Sequence, residues 1–306
     1  YSEELGDVIS LGENQKVIRV IKDYVDNDDV EDYVVLYGTE KYSDVSAVEG
    51  AAPNLEMYSG VGIQYINGEN TEVIKYDIGK TFDVNVELSV EVDSDTNYIF
   101  VTDANSGNAC LLKLNDDKTF TDLIKDSLGD EPKGYMVSST WDTTNTSKLK
   151  VKLDKEDISY LPEKTDEYIL DYTNTKVNQN SYRQKYVMNK FNYFIAEDMK
   201  IDKDSKKSSD KTEENKVTNE TVKNTSATSS TDAENTENKN DTTAKVEVSK
   251  NSDTKRIQII GVQNILYLNA TSSDVKSDYK KAEGKVKTVF EIKDGKLVVT
   301  DVLVEK

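Results

Sequence analysis

From Phe82 to Val92 an apolar side chain stands at every second position, Phe82, Val84, Val86, Leu88, Val90 and Val92, with Asp83, Asn85, Glu87, Ser89 and Glu91 between them. A period of two places all the apolar groups on one side of an extended chain, whereas a helix would scatter them around its axis. The segment therefore reads as an antiparallel strand with one face on a core and the other in water. Turn chemistry repeats the theme. Gly62–Ile66 and Glu72–Tyr76 flank Asn67-Gly68-Glu69-Asn70, the make-up of a hairpin. Residues 97–102 and 109–114 read as a second hairpin, and 286–292 and 297–304 as a third around Asp294-Gly295. Further strands are expected at 135–141, 148–153 and 168–171. Helices are expected at two places only. Residues 13–24 carry Val17, Val20, Ile21 and Tyr24 at helical spacing, and residues 121–128 carry Thr121 as a cap and Gly129 at the end. The expected fold is mainly β, a β-rich α+β arrangement of antiparallel sheets or a sandwich with a few covering helices.

The second constraint is a tract that has almost nothing to bury. Between Asp202 and Lys255 there is no aromatic residue and no Gly, Pro, Leu or Ile; Ser, Thr, Asn, Lys and acids fill it. Ordering a residue costs about 1–2 kcal/mol, which such a composition has no means to offset, so the tract is expected to be a disordered linker or insertion. It divides the chain into a β-rich region of residues 1–201, with a subdivision near residue 130, and a C-terminal β segment of residues 256–306. About 50 residues make a marginal core alone. The C-terminal segment is therefore expected to complete a sheet begun in 131–201, with Tyr186–Ile195 pairing Ile257–Leu268.

Charge and missing residue types narrow the chemistry. With 39 Lys+Arg against 58 Asp+Glu the formal charge is -19, which repels phosphate backbones and anionic lipid, so nucleic acid is not an expected partner. No run approaches the roughly 18 apolar residues that a membrane helix requires. The chain has no histidine and one cysteine, Cys110. That removes Ser-His-Asp and Cys-His mechanisms, intramolecular disulfides and the usual zinc sites. No glycine-rich phosphate loop occurs either. Carboxylates alone suffice for a glycoside hydrolase, but only Trp141 is available as the tryptophan platform usual in sugar clefts.

Two ligand classes remain. Calcium takes oxygen donors, and two acidic runs offer them: Asp26, Asp28 and Asp29 after the first expected helix, and Asp93, Asp95 and Asn97, which open like an EF-hand loop. The second run departs from that pattern, with Tyr98 in the glycine position and Ala104 where the closing glutamate belongs. Tyrosine supplies large amphipathic contact area. Of the 18 tyrosines, Tyr58, Tyr65 and Tyr76 are the expected members of a binding face.

Lysine with almost no arginine, abundant Thr, Asn and Asp, an acidic balance and a Ser/Thr/Asn spacer together resemble surface-layer or cell-wall-associated proteins of Gram-positive bacteria. The resemblance is one of composition and spans the whole chain. It implies a secreted, non-catalytic protein at the cell surface, with a structural or adhesive role and with a cell-wall polymer, a glycan, a surface protein or further copies of itself as partner. An extracellular binding module for a glycan or host protein is the first alternative, and a carboxylate-dependent glycoside hydrolase the second.

Overall fold

The computed structural model describes residues 3–26, 28–43, 53–103, 105–142, 144, 147–173, 182–187, 192–196, 256–269 and 279–306, with 3–4, 141, 182–187, 192–196, 266–269 and 279–283 as backbone only. The 202–255 tract lies outside the described residues. Among the described residues strands dominate and form four antiparallel sheets. The first holds β1 (Lys16–Asp23), β2 (Asp32–Tyr42), β3 (Leu55–Ile66) and β4 (Val73–Asp77) in chain order, with the two-residue β5 (Phe82–Asp83) beside β3. The second is β6 (Glu87–Asp93), β7 (Thr96–Thr102), β8 (Ala109–Leu114) and β9 (Phe120–Asp122). The third is β10 (Met136–Trp141), β11 (Lys148–Asp154) and β12 (Tyr168–Asp171). In the fourth, β15 (Gln258–Asn269) takes β13 (Tyr182–Val187) and β14 (Asn192–Ala196) on one edge and β16 (Tyr279–Lys293) on the other, and β16 pairs β17 (Lys296–Glu305). The helices are short: α1 (Glu3–Gly6) and α2 (Leu123–Leu128).

Three local expectations need correction. Residues 13–24 form no helix; β1 runs through them, paired from Lys16↔Gly38 to Asp23↔Asp32. Val17, Ile18, Val20 and Ile21 are all β-branched, which lowers helix propensity, and the strand uses them on both faces. Val17 and Val20 pack toward Leu5, Val35 and Ile66, while Ile18 and Ile21 join Val34, Leu36 and Ile63. The register shifts between Val17 and Arg19, and this bulge re-phases the alternation so that residues three apart share a side, imitating helical spacing. The segment Phe82–Val92 is likewise two strands. Asn85 N–H bonds Asp83 Oδ1 at 3.0 Å and Val86 N–H bonds Asp83 O at 3.0 Å, a turn that passes the chain from the first sheet to the second. Phe82, Val86, Leu88 and Val90 nevertheless reach one core. Lastly, α2 is capped by Asp122, whose Oδ1 accepts Ile124 N–H at 3.1 Å and Lys125 N–H at 3.4 Å; Thr121 sits in β9 opposite Lys113.

The core explains the layering. β7 and β8 are buried on both faces: Ile99, Val101, Cys110 and Leu112 enter a core with the first sheet. Tyr98, Phe100, Ala109 and Leu111 enter a second core with α2, the third sheet and the fourth. Strands so placed lose the polar alternation of a half-exposed strand and read as continuous apolar runs. On the fourth sheet the ladders Tyr186↔Leu266 and Ile195↔Ile259 hold β13 and β14 against β15.

Candidate functional site

The first acidic run is built into a polar knot. Asp32, fully buried at the start of β2, accepts Val25 N–H at 3.0 Å, Asp26 N–H at 3.2 Å, Gly68 N–H at 2.9 Å and Tyr65 OH at 3.1 Å. Tyr65 OH also lies 2.7 Å from Asp26 Oδ2, which Asn67 Nδ2 reaches at 2.8 Å. One candidate metal residue and one candidate binding tyrosine thus meet, and what they do together is join the β1–β2 loop to the β3–β4 loop. Burial first, and then the bond to Asp26, push the Tyr65 hydroxyl well above its usual range. Asp28 donates its N–H to Asp26 Oδ1 at 3.3 Å while its own carboxylate accepts Val30 N–H at 2.7 Å, and Asp29 is exposed. Asn67 further bonds Glu69 N–H and Asn70 N–H, and Thr71 takes φ 59°, within the six residues, Asn67 to Glu72, that close this hairpin. Asp32, the anchor of the knot, has no local signal beyond an acid at the start of an apolar strand.

The second acidic run is a tight hairpin tip. Asp93 pairs Thr96 across Ser94-Asp95, with Ser94 at φ 60°, and Asn97 is a ladder residue of β7 opposite Val92. The Asp93 carboxylate is buried and points across the chain: Oδ1 accepts Ile257 N–H at 2.9 Å and Oδ2 meets Arg256 Nη1 at 3.4 Å. It fastens the start of the C-terminal segment. Among the described residues no group of three or more His, Cys, Asp or Glu is disposed to hold a metal ion.

Nor do the three tyrosines form one exposed face. Tyr65 is buried, and Tyr58 and Tyr76 pack half-buried on the core between the first two sheets. Tyr65 and Tyr76 set their rings edge-on to Phe120, with centroids 6.5 and 6.0 Å away. Burial pushes the Tyr76 hydroxyl up to about 12.

Tyr58 belongs to a different group at the far end of the same sheet. Beyond Gly38 on β2 and below Gly60 on β3 the two strands emerge from the core, and their burial falls away toward Tyr42 and Leu55. On this ledge Glu40 stands opposite Tyr58. Glu40 Oε2 accepts both Lys16 Nζ and, at 2.8 Å, Tyr42 OH. The Lys16 hydrogen bond, then that of Tyr42, hold the Glu40 carboxyl below its usual range. Tyr42 is half exposed. Spacing alone does not reveal the group, because a register shift between Lys41 and Tyr42 sets Tyr42 opposite Leu55.

A cleft of about 530 Å³ lies on the third sheet, where β12 ends its ladder at Tyr168↔Val151 and residues 163–166 diverge from β11. Lys152, Lys155 and Lys164 line it together with Asp154, Glu163 and Asp166, so it carries no net preference of sign. In comparisons with known proteins, no protein family, no curated protein and no solved structure matches this chain.

Proposed function

We propose that this chain works outside a bacterial cell as a non-catalytic surface protein, structural or adhesive, whose stacked sheets hold an exposed ledge in place. The supporting observation is the use made of buried polar side chains. Asp32, Asp93, Asp103, Asp122, Gln64 and Gln263 are buried, and each bonds main-chain groups. Asp93 and Gln263 do so across sequence separations of 164 and 128 residues. A buried, hydrogen-bonded polar group penalises any rearrangement that leaves it unpaired, a property suited to a rigid scaffold. Fractionation of the native host with an antibody to the chain tests the proposal. Recovery from wall or medium supports it, and recovery from the cytoplasm refutes it. The ledge favours one of the alternatives as a second, compatible reading: recognition of a glycan.

A further inference from the structure

We propose that the ledge formed by Lys16, Glu40, Tyr42 and Tyr58 is a subsite for a neutral, hydroxyl-rich pyranose glycan. The proposal rests on the glycan reading given above. A pyranose presents an apolar face of C–H groups and a rim of hydroxyls, so it needs a flat apolar platform with charged or polar groups at its edge. Tyr42, half exposed, offers the platform. The edge is Glu40 and Lys16: a carboxylate accepts hydrogen bonds from sugar hydroxyls, an ammonium donates to them, and bonds to ionised groups are the stronger kind. Glu40 keeps a fifth of its side-chain surface open, and Lys16 more than half.

Two further observations support the assignment. The platform is held in advance, because Tyr42 OH is tied to Glu40, which is itself tied to Lys16. A ring already fixed loses little rotamer freedom when a ligand settles on it. Charge selects the ligand class. Lys16 and Glu40 cancel within the site, and the chain as a whole carries -19, so a polyanionic glycan is repelled while a neutral one is not.

The test is native gel electrophoresis of the full chain through gels containing hydroxyethyl cellulose, a soluble neutral polymer, or polygalacturonate, an anionic one. The expected result is retardation by the neutral polymer only. Tyr42→Ala should reduce it at least tenfold in apparent affinity, Glu40→Gln several-fold, and Tyr24→Ala, which removes an exposed tyrosine from the other end of β1, not at all. Absence of retardation by the neutral polymer, equal retardation of Tyr42→Ala, or binding of polygalacturonate alone would each overturn the assignment. Wall localisation together with any of these failures would leave the surface-protein reading standing and remove only the glycan subsite.

Discussion

Gln263 should be among the most sensitive polar positions in the molecule. It is fully buried on β15, and its carboxamide grips the backbone of one residue: Oε1 accepts Tyr135 N–H at 2.9 Å, and Nε2 donates to Tyr135 O at 3.0 Å. Tyr135 is itself buried, just before β10. Gln263→Leu keeps the volume and removes both partners. A buried backbone group left unpaired costs about 1–3 kcal/mol, less for the carbonyl, so a loss of about 3 kcal/mol is expected. In a folded unit of this size that lowers Tm by roughly 6–12 °C. Gln64 provides the internal comparison. It makes the same two bonds to Ser10, at 3.2 and 2.7 Å, but Ser10 is exposed, so water can take over and Gln64→Leu should cost about 1 kcal/mol or less. Thermal unfolding followed by circular dichroism measures both. Equal shifts for the two variants, or no measurable shift for Gln263→Leu, would refute the argument that burial of the partner decides the cost. Gly134→Ala should act on the same contact, since a Cβ there would stand 2.0 Å from the Gln263 side chain.

Asp93→Ala frees Ile257 N–H and Arg256 and should speed amide exchange at Ile257 and along β15, at a cost of about 1–3 kcal/mol. Arg256→Ala, at an exposed guanidinium, should cost well under 1 kcal/mol. Burial raises the Asp122 carboxyl above its ordinary range. The folded state therefore holds that proton more tightly than the unfolded chain, and this group's contribution to stability falls as pH rises above about 4, its unfolded value. Asp122→Asn, which keeps an acceptor for the cap, should flatten that slope in denaturation midpoints measured across the range, and an unchanged slope would contradict the assignment. Removing residues 200–253 and closing the chain with a short turn should preserve the β signal in circular dichroism, because β14 and β15 are ladder neighbours down to Ala196↔Gln258. The shorter connection should raise stability by roughly 2 kcal/mol, at about 0.6 kcal/mol for each halving of loop length. Loss of folding would show that the removed residues take part in the core.

What the sequence by itself determined is whatever repeats over a few residues. Period-two runs, short continuous apolar runs and turn residues mark β7, β8, β10, β11, β12 and the turn-proximal part of the β16–β17 hairpin in nearly their observed places, because strand geometry and turn dihedrals act within a short window. The same locality misreads β1, where one bulge makes β-branched residues three apart share a face, and misses the turn at Val84-Asn85 that splits an unbroken alternation between two sheets. Only the tertiary structure decided which polar residues matter. Asp93 and Asp26 look like ligands in sequence, yet one fastens Ile257 and the other meets Tyr65. Asp32 and Gln263 carry no mark of their roles. Glu40, Lys16 and Tyr42 become a site because β1 and β2 pair antiparallel, so that Lys16 meets Glu40 beside Tyr42 where the sheet runs out of the core. Such pairings depend on contacts made across tens to more than a hundred residues, and the free energy of a buried or bridged polar group is set by its partner, which local sequence does not name.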